Sequence, residues 1–506
     1  MCLTIARRVT SMILIRNYVL YTELAMVALD GVTKIIRRAH CVVSWDGEQG
    51  GHVYRRDVDI AFGRSIVAVG DDLEADGAEV LDGQGFMVMP GLVNIHSHPG
   101  EEPLNKGLWD EVGSPGFYNT SLYEYLMVLD RDLAGTQAAY RVAFAELLKS
   151  GVTTICDLAV PTEGWLDVIA ATGIRACVAP MFRQARWVTD NGHRLDYAWD
   201  IARGREGFER ALAEIAQAAR HPSGRLFGMM APSQIDTCDE ELLRDAHAEA
   251  VSLDIPFQTH AGQSLTEFHE MTRRHGLTPI GFMKKIGILS DRTIIGHGIF
   301  LDHHPWVHWP KTDDLGTIAR AGATVAHCPT VFARRGIMLD HIGLYRQRGV
   351  NLGIGTDVYP NNMLDEMRLA IYAGRLMAGN PRDATLADVF AAATVGGAKA
   401  LRRPDIGRIA PGAKADLVMV DCRAPVMQPC RDPLRSLVFS ASDRAVRHVF
   451  VDGDQVVKDG VVLTIDEAEA AADLYEAQCR AVEGVPRNDW AGRTIDQLAP
   501  PSHRWA

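Results

Sequence analysis

Between about residue 86 and residue 377 the chain repeats one rhythm: a short β-branched or apolar run, a polar loop, then a stretch of helical period ending near a glycine. Alternation of this kind marks βα units on a parallel sheet. Apolar runs at 92–96, 152–158, 174–180, 226–232, 255–260, 293–299, 323–328 and 351–357 predict eight strands. Helices are predicted between them, as at 207–220, where Phe208, Leu212, Ile215 and Ala219 share a face, and at 362–377, where Met363, Met367, Ala370 and Ile371 do. Gly151, Gly173, Gly322 and Gly349 stand where helices must stop. Eight such units predict an α/β fold, a closed (β/α)8 TIM-like barrel over 86–404, and no GxGxxG follows any strand to favour an open dinucleotide-binding sheet.

The flanks have period two instead. Short alternating runs at 35–43, 56–61 and 66–69, and again at 417–420, 446–451, 455–457 and 461–463, read as β-hairpins. Small sheets are marginal alone, so segments 35–85 and 405–465 are expected to fold together as a composite β-sandwich domain. Residues 1–34 form an N-terminal extension, and 466–506 an Ala- and Glu-rich helix (466–482) with a polar tail.

Composition narrows the class of partner. The chain has 506 residues, 52 basic against 64 acidic side chains and a net charge of −12, a balance that argues against a phosphate-binding surface for nucleic acid. Nine scattered cysteines lack any CxxC pair and read as reduced thiols. The apolar stretch from Met12 to Leu29 follows Arg7 and Arg8, but Arg16, Asn17 and Glu23 interrupt it, so neither a signal peptide nor a membrane span is expected. The reading is a cytoplasmic protein that acts on a small molecule, without nucleic-acid or membrane partners.

Ligand-type side chains collect at the predicted strand ends, where a barrel of this kind does its chemistry. The first strand ends in Asn94-Ile95-His96-Ser97-His98, whose alternation puts both histidines on one face. The fifth ends in His260, the sixth carries His297 and the eighth ends in Asp357. Singly, a histidine there can be a core residue and Asp357 a helix N-cap. Jointly they suit a borderline divalent metal such as zinc.

At these residues the chain resembles the amidohydrolase superfamily, in its subgroup of triazine hydrolases and aminoheterocycle deaminases. The matching segments are Met89 to His98, Thr259-His260, Ile295 to Gly298, Ala326-His327-Cys328-Pro329, Gly355-Thr356-Asp357 and Ile406 to Val418, within a resemblance spanning about residues 35 to 465. It implies one divalent metal ion per chain, zinc first and iron(II), cobalt or manganese otherwise, held by His96, His98, His260 and Asp357. It places His297 beside the metal-bound water and the substrate's polarised atom. A cation there lowers the pKa of its water toward ~7. Asp357 would carry the proton to the leaving amine, and His297 would donate to the oxyanion. Homo-oligomerisation is implied by the resemblance alone.

Deaminases of this subgroup usually carry a glutamate three residues after the fifth-strand histidine; here that position is Gln263, an amide that cannot shuttle a proton. The expectation is therefore cleavage of a C–N bond in an amide, urea or carbamate with an apolar or aromatic substituent. Tyr359-Pro360-Asn361-Asn362-Met363 resembles the branch that hydrolyses phenylureas and thiocarbamates. The alternative is deamination or dechlorination of an N-heterocycle of triazine, pyrimidine or purine type, with Gln263 orienting the ring; a third reading is a catalytically inert scaffold. Phe332 is expected to wall the pocket, and Trp109 and His304, from loops after the first and sixth strands, to contact substrate. His327 is expected to support the site without binding metal, Cys328 not to act as a nucleophile, and Asp157 to hydrogen-bond within the barrel.

Overall fold

The computed structural model describes residues 31–505. The stretch from Met12 to Leu29 weighed above lies outside the described residues, as does Cys2. No helix among the described residues is long and apolar enough to cross a membrane.

Eight strands form the barrel: β1 (Leu92–Ser97), β2 (Val152–Ala159), β3 (Arg175–Phe182), β4 (Leu226–Gly228, resumed at Ala231–Pro232), β5 (Phe257–Ala261), β6 (Thr293–His297), β7 (Thr324–His327) and β8 (Asn351–Ile354). β1 to β4 pair in parallel as one half and β5 to β8 as the other. Bridges from Met230 to Phe257 and Gln234 to His260 join β4 to β5, and a bridge from Ser97 to Asp357 closes the ring. Every residue of β2, β5, β6 and β7 is buried, because side chains fill the inside while helices cover the outside. Asp132, Asp200, Asp239 and Ser264 each cap a helix by accepting from the backbone N–H three residues on.

The flanking segments make two sheets. One has four strands, Lys34–Ala39, Val58–Phe62, Ile66–Gly70 and Glu79–Asp82; the other has seven, Cys41–Asp46, Gly51–Arg55, Phe86–Pro90, Leu417–Asp421, Val446–Val451, Asp454–Lys458 and Val461–Val462. Ile36, Ile60 and Phe62 of the first pack on Val42, Val88, Leu417 and Phe450 of the second. Two features depart from the sequence expectation. The run 35–43 is broken at His40, so that its halves enter different sheets, and Phe86–Pro90 lies in the seven-stranded sheet, so the barrel begins at Leu92. A hairpin, Ala185–Val188 with Asp196–Trp199, also follows β3; its Trp187 Nε1 and Tyr197 hydroxyl donate to Asp236 at 2.9 and 2.8 Å.

Arg175, at the start of β3 and 1% exposed, fastens the barrel to the seven-stranded sheet. Its Nε and Nη2 donate to Asp416 at 3.0 Å each, and Nη2 reaches Asp452 at 3.3 Å. Without Arg175 the buried Asp416 would lose its cation and keep the Asp452 N–H at 2.7 Å, while Asp452 would keep Arg64. Arg175→Ala is expected to destabilise by about 3–5 kcal/mol, read as a lower denaturant midpoint, while metal stoichiometry below that midpoint stays that of the wild type.

Candidate active site

The strand ends converge on one point. His96 is fully buried, His260 4% and Asp357 6% exposed, and one ligand atom from each of His96, His98 and His260 lies within 4.8 Å of the others. The Nδ1 side of each ring is occupied: His96 faces Gln258 Oε1 at 2.7 Å, His98 the Leu158 carbonyl at 2.7 Å and His260 the Ser233 carbonyl at 2.5 Å. These acceptors fix the proton on Nδ1 and leave the three Nε2 lone pairs free. Asp357 Oδ1 stands 3.4 Å from the Nε2 atoms of both His96 and His98, and Oδ2 stands 3.8 Å from His297 Nε2. His96 Nε2 is buried without a hydrogen-bond partner. A buried polar atom left so needs an explanation, and three imidazoles with one carboxylate fit a divalent cation.

Electrostatics agree with that use. Burial lowers the pKa of His98, lowers that of His260 further and takes His297 to about 3, so the rings are neutral at pH 7. Burial alone would raise Asp357, but the surrounding imidazoles hold its carboxyl well below the ordinary range, so it is ionised. Cys328 groups with His96 and His297, yet burial pushes its thiol far up and keeps it protonated.

The backbone is shaped around these groups. His297 and Asp357 have φ of 79° and 58°, a left-handed conformation that costs non-glycine residues energy and clusters at functional sites. Asp357 is held there by its N–H to the His96 carbonyl at 2.9 Å, while Asn94 Nδ2 donates to Thr356 Oγ1 at 2.8 Å. At Gly355 a Cβ would come 2.6 Å from His96 Cβ and 2.9 Å from Cys328 Sγ, so only glycine lets the segments carrying His96 and Cys328 approach this closely. Gln258 carries its own prediction, since its Oε1 is what turns His96. Gln258→Leu should lower metal affinity by about 10- to 100-fold, the usual effect of losing a group that orients a ligand, measured by competition with a chelating dye.

Above the metal-type site lies a cavity of about 370 Å³ lined by His98, His260, His297, Asp357, Gln263 and Phe332 among others. Phe332 meets His297 edge-on, with ring centroids 4.8 Å apart. Gln263, 7% exposed, donates its backbone N–H to Glu267 at 3.2 Å, and its Nε2 is buried without a partner. His327 is buried beside the site, with its pKa lowered to about 4 by burial, and its carbonyl accepts from Gly355. Asp157 accepts from Trp165 Nε1 at 2.8 Å inside the barrel.

Two expected substrate contacts do not reach the cavity. Trp109 is 1% exposed and packs with Tyr125, Ala481, Val485 and Leu498, because the C-terminal helix Glu467–Asn488 and its continuation fold back over the first loop. His304 is 4% exposed, lies against Phe300 and accepts from the Trp306 N–H at 3.2 Å, while Pro305, Trp306 and Pro310 of its loop are exposed. Conversely, Glu101, Glu102, Arg131, Arg183 and Arg335 line the cavity and were missed. They sit on loops, where no periodicity marks a direction.

Known proteins are similar to this chain in sequence and fold. The Amidohydrolase family pattern matches residues 87–456. A 5-methylthioadenosine/S-adenosylhomocysteine deaminase of Natronomonas pharaonis is 30% identical over 436 residues, covering 83% of this chain and 92% of the relative. A 5'-deoxyadenosine deaminase of Methanothermobacter thermautotrophicus is 29% identical over 407 residues, 78% and 89%. Among solved structures, a zinc-bound adenosine deaminase from Xanthomonas campestris superposes with a TM-score of 0.75 at 25% identity, covering 89% of this chain and 98% of that one. The zinc complex of atrazine chlorohydrolase from Arthrobacter aurescens TC1 has a TM-score of 0.73 at 22% identity, with 88% and 99% covered, a likeness of fold. The chain belongs to the amidohydrolase family, metal-dependent hydrolases that act on carbon–nitrogen bonds.

Proposed function

We propose that this hydrolase deaminates an aminated N-heterocycle, with adenine-type rings the first class to test. The observation that carries the reading is the similarity, over four-fifths of the chain, to relatives named as deaminases of adenine nucleosides, joined to a cavity lined by His98, His260 and Asp357 of the cluster. This moves the expectation away from ureas and carbamates.

Bound there, a divalent ion, zinc first among the choices, supplies Lewis-acid polarisation and a water acidic enough to attack at neutral pH. The chain's residues supply the rest. Asp357, ionised and facing His297, takes the proton of the attacking water and hands it to the departing amine, a far stronger base than a carboxylate. His297, neutral, donates to the atom on which negative charge collects. Gln263 offers its unpartnered Nε2 to a ring nitrogen, and Phe332 closes the wall behind His297. Ammonia release answers the question directly: the metal-loaded enzyme is screened against aminopurines, aminopyrimidines and aminotriazines beside phenylureas and carbamates. Ammonia from the heterocycles is expected; hydrolysis confined to ureas and carbamates would sink the proposal. That second reading has one observation in its favour, the amide at position 263.

A further inference from the structure

The chain carries a net charge of −12, yet five arginines line the one cavity above the cluster: Arg131, Arg183, Arg203, Arg210 and Arg335. Arg131 is neutralised by Glu101 at 3.0 Å. Among the described residues no carboxylate lies within 4.0 Å of the other four; the side chain nearest in kind, Arg334, is paired with Asp110 at 3.0 Å and does not line the cavity. Arg183, just past the end of β3, has no carboxylate within 4.0 Å: the Trp187 ring lies 5.9 Å from its guanidinium carbon, and Glu101 attracts it only from farther off. Arg335, from the segment after β7, donates to the Val331 carbonyl at 2.5 Å and to Ser121, and its Nε is buried without an acceptor. In an eight-stranded ring β3 and β7 stand opposite each other, so the two cations enter from opposite walls. Arg203 and Arg210, both exposed, project from the helix Ile201–Ala219 at the rim.

Glu101, Glu102 and Asp357 line the same cavity, so five guanidiniums face three carboxyl groups, and collecting that excess of positive charge in one cleft gains the fold nothing in stability. What such a cleft gains is attraction for anions, strengthened by its low-dielectric walls, and a guanidinium fork matches a carboxylate or phosphate edge. We propose that the substrate carries an oxyanion, a carboxylate or a phosphate monoester, on a substituent remote from the reacting carbon, held by Arg183 and Arg335 and gathered by Arg203 and Arg210. For the reacting end this rests on the deaminase reading; for the anion it does not.

The test is equilibrium binding to the zinc-loaded full chain, with benzoate and phenyl phosphate as anionic probes and benzyl alcohol as their neutral counterpart. Both anions are expected to bind at least about tenfold more tightly than the alcohol at low salt, with the margin shrinking as salt screens the cleft. Arg183→Met and Arg335→Met should each remove most of that margin while leaving benzyl alcohol unaffected. Arg203→Met, at an exposed position that tolerates change, should weaken it less. Phenyl phosphate ahead of benzoate assigns a phosphate, and the reverse order a carboxylate. An anion preference that survives both the Arg183 and the Arg335 variants would put the anion on the metal and overturn the proposal, as would equal binding of charged and neutral probes. Failure of ammonia release with arginine-dependent anion binding intact would sink the deaminase reading alone.

Discussion

Asp357→Asn is expected to lower kcat by about 10³-fold or more, the range lost with a general base that also holds the metal. The substitution keeps the shape of the side chain, and asparagine tolerates the φ of 58° at this position, so the closure of β8 onto β1 should persist. What changes is charge. Asp357 places one oxygen 3.4 Å from two imidazole Nε2 atoms and the other 3.8 Å from a third. An amide there supplies no negative charge to a cation and cannot carry a proton from water to a leaving amine. Steady-state rates with metal in excess separate the two losses: restored occupancy without restored kcat isolates the proton-carrying role. A kcat within tenfold of the wild type at full occupancy would remove Asp357 from the chemistry. Asp357→Ala makes a poorer test, since it loses the charge at a strained position with no side chain to replace its packing.

The metal-type cluster was legible because its residues sit at strand ends, where period two and the parallel order fix direction. His96 lies in β1 and His98 directly follows it, His260 and His297 lie in the last two residues of β5 and β6, and Asp357 comes three residues after β8, all beside apolar runs that are plain. The eight strands were legible for the same reason. Loops were not. Trp109 looked like a roof over the site because nothing in the run Lys106 to Asp110 says that a helix 360 residues later will cover it. Arg183 and Arg335 were invisible because an arginine outside regular structure reads as a solvated charge until its neighbours are known. The break at His40 was hidden as well: an unbroken alternating run looks the same whether it serves one sheet or two, and only the register, Lys34 against Phe62 and Val42 against Arg55, tells them apart.

Gln263→Glu should raise kcat/KM for aminoheterocycles by about 10- to 100-fold, the lower part of what a positioned general acid contributes. The site favours the protonated form of an introduced carboxyl. Position 263 is 7% exposed, and its backbone already donates to Glu267, a fully buried carboxylate whose pKa burial raises well above the ordinary value. A second carboxyl beside it would titrate high through the same desolvation and so hold a proton at pH 7 to give to a ring nitrogen. The same proximity costs stability, which should show as a lower thermal midpoint above the range where either carboxyl is protonated. Ureas and carbamates need no ring protonation and gain nothing from the change. Ammonia release rising for heterocycles alone would mean that the wild-type amide orients the ring and leaves its protonation to water. A fall for heterocycles, with the metal bound and the fold intact, would mean that the Nε2 hydrogen bond is itself what the substrate requires.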